Sequence, residues 1–202
     1  MELYMDPVEL ARLQAIFESV KHIPSDTESL RDEDYLLLGQ FVQVFCVADL
    51  ESRRVIAAMQ TIVGNKSVDV RKLPDKTVIE HLAISARDWP GQKEIGKGLA
   101  VVADTLSKHH QVRHICAHWA ARRIKGHDAY FFISTSGNHK PPVGGHHVGA
   151  DDPDADAEFR MLAKTMIMEE LIKLRQHATF LGSLAPYLEN NIVALKKQHG
   201  AM

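Results

Sequence analysis

Apolar residues recur three and four positions apart over most of this chain, the spacing that places them on one face of an α-helix. Leu10, Leu13, Phe17 and Val20 follow that spacing behind Asp6, a candidate N-cap, and Pro7, suited to a first helical position. The pattern predicts a first helix to about Val20, broken by Ile23-Pro24-Ser25-Asp26-Thr27. From Asp32 to about Val63 the repeat is stronger, through Leu38, Phe41, Val42, Phe45, Ala48, Val55 and Met59, with Gly64-Asn65 as its stop. Residues 65–75 read as a connector and Thr77 to about Trp89 as a further helix, halted by Pro90-Gly91. The next helix is expected from about Gln92 to Lys125, using Ile95, Leu99, Val102, Leu106, Val112, Ile115 and Trp119, with Gly126 as terminator.

The period then changes. Ala129-Tyr130-Phe131-Phe132-Ile133-Ser134 is a short β-prone run and the strongest strand candidate. Asn138 to Asp156 is rich in Pro and Gly without periodicity and reads as a mobile loop, so residues 134–156 are expected to be flexible. A last long helix should use Phe159, Leu162, Met166, Leu171, Leu174 and Leu181, with Ser183 capping a further helix after Pro186. These elements predict an all-α fold: a four- to five-helix bundle with a short β-hairpin inserted before the last helix. Residues 1–202 read as a single domain, with an N-terminal helix and connector over 1–31.

Composition narrows the function classes. Among 202 residues, 24 Lys plus Arg stand against 26 Asp plus Glu, which excludes a generally basic nucleic-acid coat but not a local basic face. No run approaches the ~18 apolar residues of a membrane span. The opening Met-Glu-Leu-Tyr-Met-Asp-Pro carries no secretory signal pattern, so a cytoplasmic protein is expected. Cys46 and Cys116 cannot build a disulfide framework or a four-cysteine zinc site.

The chemistry concentrates between Lys108 and Lys125. That stretch carries five Lys or Arg and four His with no carboxylate, a cationic patch on a slightly acidic protein. Within it, Arg113-His114-Ile115-Cys116-Ala117-His118 is followed by Trp119 and, shortly after, by the strand candidate. This arrangement resembles the R-x(4–6)-H motif of the HEPN superfamily, α-helical proteins that often act as ribonucleases. In many HEPN-like proteins the motif reads Arg-Asn-x-x-Ala-His, then Gly and Trp, then a hairpin. The helix from Leu38-Gly39-Gln40-Phe41 to Asp49-Leu50-Glu51 also resembles the helix that precedes the motif, and the likeness extends loosely over residues 35–180. Two positions depart from the pattern: His114 stands where Asn is common, and the Gly after the motif histidine is missing.

The resemblance implies metal-independent RNA cleavage, in which the ribose 2′-hydroxyl attacks the adjacent phosphate. His118 would be the general base or acid, since histidine is the side chain type suited to proton transfer near neutral pH. Arg113 would stabilise the pentavalent phosphorane, and His114 would orient the phosphate or assist proton transfer. Lys108, His110, Arg122, Arg123 and Lys125 are the candidate RNA-binding residues. At 100° per residue, Arg113 and His118 project about 140° apart on a straight helix. HEPN enzymes resolve this by facing two motifs across a dimer, so a homodimer is expected. The resemblance also suggests a cognate antitoxin as partner and a role in stress response or defence. No cofactor is implied.

Competing chemistries are weaker. His110, His114 and His118 fall on one helix face, but the outer two rise about 12 Å apart, too far for one metal ion. His146 and His147 with Asp151 and Asp152 sit in a loop without fixed geometry, so no metal site is expected. Gly91 to Gly98 lacks the Gly-Lys-Ser/Thr of a phosphate loop, and Ser134-Thr135-Ser136-Gly137 lacks the nucleophile elbow. Cys116 is expected to pack inertly; Trp119 is expected in the core, with base stacking as its functional alternative. The other function class is a non-catalytic α-helical binding or interaction module. In it, Arg113 would pair with a carboxylate such as Glu80 or Asp49, and His118 would be covered.

Overall fold

The computed structural model describes residues 27–64, 68–134, 146–147 and 158–198. In chain order these form β1 (Thr27–Glu28), α1 (Asp32–Ile62), a 3-10 turn (Val70–Lys72), α2 (Asp75–Arg87), α3 (Lys93–His118), β2 (Ala120–Ile124), β3 (Ala129–Ser134), β4 (His146–His147), β5 (Glu158–Ala163), α4 (Lys164–Asn190) and α5 (Ile192–Gln198). Five helices with a small antiparallel sheet ahead of the last long helix match the expected helical class with an inserted hairpin. The expected helix through Val20 and most of the 134–156 loop lie outside the described residues.

The chain divides into two compact units, residues 1–41 with 114–170 and residues 42–113 with 171–202. In the first, the β2–β3 hairpin is the centre of a five-stranded sheet of order β1-β2-β3-β5-β4, antiparallel throughout. The hairpin turn is closed by the His127 N–H donating to the Ile124 carbonyl at 3.1 Å, with Gly126 at φ +76°. Glycine meets that left-handed requirement without steric cost. Tyr130, Phe131, Phe132, Leu162, Ala163 and Ile167 are buried in this unit.

Several boundaries differ from expectation, and at the strands it is pairing that overrides local preference. Helix α3 ends at His118 rather than Lys125. Residues 120–123 are instead in register with β3, from Ala120 opposite Ile133 to Arg123 opposite Tyr130, although Ala-Ala-Arg-Arg favours a helix locally. Residues 158–163, expected at the start of the last helix, form β5 on the far edge of β3. Helix α4 then runs unbroken through Pro186, and Ser183 caps nothing: its hydroxyl donates back to the Thr179 carbonyl at 3.0 Å. His146–His147, placed in the expected loop, pairs with β5.

A single carboxylate organises the first unit. Asp34, 0% exposed, sits in the acidic first turn of α1. Its Oδ2 accepts the Arg31 backbone N–H at 2.9 Å, the return half of a capping box. The Tyr130 hydroxyl of β3 donates to Oδ1 at 2.8 Å, and Arg123 of β2 donates to Oδ2 at 3.0 Å. Lys164, the first residue of α4, lies 3.4 Å from Oδ1. Arg123 also reaches Glu28 at 3.2 Å and Glu33 at 3.4 Å. Burial alone would raise the Asp34 pKa, but the donors from Arg31, Tyr130, Arg123 and Lys164 outweigh it and bring it from 3.8 to about 2.

In the second unit, Phe45, Val55, Ile56, Met59 and Ile62 of α1 are buried with Leu82 of α2, Leu99 and Leu106 of α3, and Leu174, Leu181 and Leu188 of α4. Arg53 secures the irregular segment after α1: it donates to the Val70 carbonyl at 2.7 Å and the Leu73 carbonyl at 2.9 Å while pairing with Asp49 at 2.7 Å.

Asp34→Asn should cost about 3 kcal/mol, because it leaves Arg123 and Lys164 without their buried counter-charge. Tyr130→Phe should cost about 1 kcal/mol. Urea unfolding at neutral pH measures both. Because the folded-state pKa of Asp34 is depressed, its contribution is complete above about pH 4 and is lost as pH falls toward 2. The acid limb of the stability profile should therefore be shallower in Asp34→Asn than in the wild type.

Candidate functional site

Helix α3 carries both ends of the Arg-x4-His motif, but Arg113 belongs to one compact unit and His114 to His118 belong to the other. Each end has its own surroundings.

The Arg113 side chain is 23% exposed. Its Nη1 lies 3.9 Å from Oδ2 of Asp75, the first residue of α2, and its guanidinium carbon sits 6.0 Å from the Phe45 ring centre. Nε is buried without a hydrogen-bond partner among the described residues. Asp75 is shared, since Arg53 also approaches it at 3.5 Å. The pairing carboxylate is thus Asp75 rather than Glu80 or Asp49. It falls one helical element away in sequence, where no local spacing rule points. His110, one turn before Arg113, packs its ring 6.0 Å from Phe45. Burial lowers its pKa below 6.5, Asp75 pulls it up, and the Arg113 and Lys76 charges push it further down. His109 is wholly buried. Lys108 is bonded to Asp104 at 2.8 Å on the same helix.

At the other end, His118 is exposed in the last turn of α3, with its ring 4.9 Å from that of His114. Two imidazoles at this distance sit one above the other, as residues four apart on a helix do. Trp119 follows, buried as expected, with the Arg160 guanidinium carbon 5.9 Å from its ring centre. Cys116 is half-buried, and burial pushes its thiol up to about 12, so it stays protonated at neutral pH. The remaining cations separate. Arg123 is committed to Asp34, Glu28 and Glu33, whereas Arg122 and Lys125 are exposed. The alternation is that of a strand: β2 turns Arg122 and Arg123 to opposite sides.

Beside Trp119, a cleft of 590 Å³ opens between the start of α1, the end of α3 and β2. Ser29, Tyr35, Gly39, Cys116, Trp119 and Arg122 are among its walls. Sequence reasoning missed Tyr35 and Gly39, because a helical repeat marks the apolar face of α1 and these two lie off it, both exposed. Among the described residues, no group of three or more His, Cys, Asp or Glu is placed to hold a metal ion, and no helix is long and apolar enough to cross a membrane. Comparison with protein-family models, curated proteins and solved structures finds no significant match to this chain.

Two measurements check these environments. In an NMR titration His110 should show a midpoint below 6.5, and Asp75→Asn should lower it further by removing the stronger of the two nearby charges, Asp75 and Asp49, that favour the imidazolium. Toward a thiol-specific disulfide reagent at pH 8, exposed Cys46 should react first and Cys116 slowly. Cys46→Ser should remove the fast phase alone.

Proposed function

We propose that the protein is a metal-independent endoribonuclease of HEPN type, cytoplasmic and acting as a homodimer on RNA in stress response or defence. The observation that carries this reading is His118, an exposed imidazole at the end of α3 with a second imidazole, His114, 4.9 Å away. An accessible histidine at the motif position is what proton transfer to and from a ribose requires. His118 takes the 2′-hydroxyl proton as the oxygen attacks the adjacent phosphorus. A protonated histidine returns a proton to the departing 5′-oxygen, leaving a 2′,3′-cyclic phosphate. Arg113 stabilises the charge that builds on the phosphorane oxygens. Since residues five apart project about 140° from each other on one helix, the composite site takes part of its machinery from a second copy. Exposed Arg122 and Lys125 are the candidate phosphate contacts, with Arg123 held in the Asp34 network. Toxin-like activity of this kind would be restrained by a cognate antitoxin.

A second reading is favoured by one observation: Arg113 lies beside Asp75 and over Phe45, the surroundings of a structural cation. On that reading the chain is a non-catalytic helical binding module.

Cleavage of a mixed RNA pool in EDTA separates the two. The ribonuclease should yield 2′,3′-cyclic phosphate ends and lose at least about 100-fold in rate in His118→Ala and about 100-fold in Arg113→Ala. Light scattering should report a dimer, and urea midpoints should show that the variants fold. A folded wild-type dimer that leaves RNA intact would establish the binding module.

A further inference from the structure

The cleft beside Trp119 has three properties that the fold itself does not require. First, among the described residues its lining includes one cation, Arg122, and no carboxylate. Among the described residues the Arg122 guanidinium reaches only the Ser29 hydroxyl, at 3.5 Å, the long limit of a hydrogen bond. The cleft is therefore chemically suited to an anion.

Second, one of its two aromatic side chains is left to solvent. Tyr35 is 63% exposed on α1, although burying such a ring is favourable. Trp119, also in the lining, keeps a buried indole N–H with no hydrogen-bond partner among the described residues.

Third, Gly39 stands in the interior of α1 with an ordinary helical backbone, and a Cβ built there would meet nothing within 4 Å among the described residues. Neither a left-handed φ nor a close approach among the described residues calls for glycine, which weakens a helix relative to alanine. Gly39 lines the cleft, and the space it leaves open is space for something else.

A flat aromatic ring to lie beside Tyr35 and an adjacent anion together describe a nucleotide. Stacking on an aromatic side chain with a cation at the phosphate is how single strands are held without sequence preference. The volume, 590 Å³, is also within the range of roughly 300–1,000 Å³ usual for small-ligand sites. We propose that this cleft binds one nucleotide of single-stranded RNA, its base against Tyr35 and across Gly39, its phosphate on Arg122. The choice of RNA over a free mononucleotide rests on the ribonuclease reading; the ring-plus-anion chemistry does not.

The test is binding of a fluorescein-labelled 2′-O-methyl octanucleotide, which lacks the hydroxyl needed for cleavage, followed by anisotropy in the full-length protein. The expected result is a saturable signal that adenosine monophosphate competes away and inorganic phosphate does not. Tyr35→Ala and Arg122→Ala, both at exposed positions, should each weaken it at least tenfold. Gly39→Leu, which fills the cleft, should abolish it without lowering the thermal midpoint. Wild-type affinity in a folded Gly39→Leu overturns the proposal. So does binding of adenosine monophosphate alone, which assigns the cleft to a free nucleotide. A dimer that becomes monomeric in Gly39→Leu with oligonucleotide binding intact assigns it to a second copy and equally overturns the proposal. Binding with no cleavage of unmodified RNA removes the ribonuclease reading and leaves the subsite. Cleavage with no binding sensitive to Gly39→Leu does the reverse.

Discussion

The buried carboxylate of Asp34 is the constraint on which the sheet-bearing unit depends. An isolated ionised carboxylate away from water is costly, and here the cost is offset only because four elements converge on it. The Arg31 N–H comes from the turn before α1, Arg123 from β2, Tyr130 from β3 and Lys164 from the start of α4. Remove any one donor and a charge remains that the others were placed to neutralise. The hairpin register follows from the same demand, since Arg123 and Tyr130, paired opposite each other across β2 and β3, both bond to Asp34.

That demand also decides what becomes of the cationic stretch. Read as one helix, Lys108 to Lys125 would present its charges around a cylinder. The chain instead leaves the helix after His118 and enters a strand, which commits Arg123 inward to Asp34 and leaves Arg122 exposed. The end of α3 thereby places exposed His118, buried Trp119 and exposed Arg122 within five residues of chain, with the cleft lined by the latter two. Any nucleic-acid chemistry of this unit follows from where the helix stops.

The Arg113 end obeys different physics. Asp75 receives both Arg53 and Arg113, and Arg53 in turn holds the carbonyls of Val70 and Leu73. The guanidinium of Arg113 is thus part of the set of charges that seats the start of α2. A cation in that position is pre-oriented, because a planar group flanked by a ring and a carboxylate has few other rotamers. It is also partly spent, and for this reason Arg113 and His118 carry unequal weight in the functional reading.

The amino-acid sequence by itself determined the helices whose apolar stripes are continuous, α1, α2 and most of α3, together with β3 and the Gly64 stop, whereas Gly126, expected to end α3, serves the β2–β3 turn instead. Each is set by local repeat or by the backbone freedom of one residue. It also singled out Arg113 and His118 through a resemblance in a short motif. Tertiary structure alone decided that 120–124 and 158–163 are strands, since a strand's partner is non-local and its own residues here read equally well as helix. The same holds for α4, which continues through Pro186 where the local rule predicts a stop. Asp34, Asp75, Tyr35 and Gly39 were likewise invisible: a carboxylate, a tyrosine or a glycine on a helix acquires its meaning from what the rest of the chain sets beside it or leaves open.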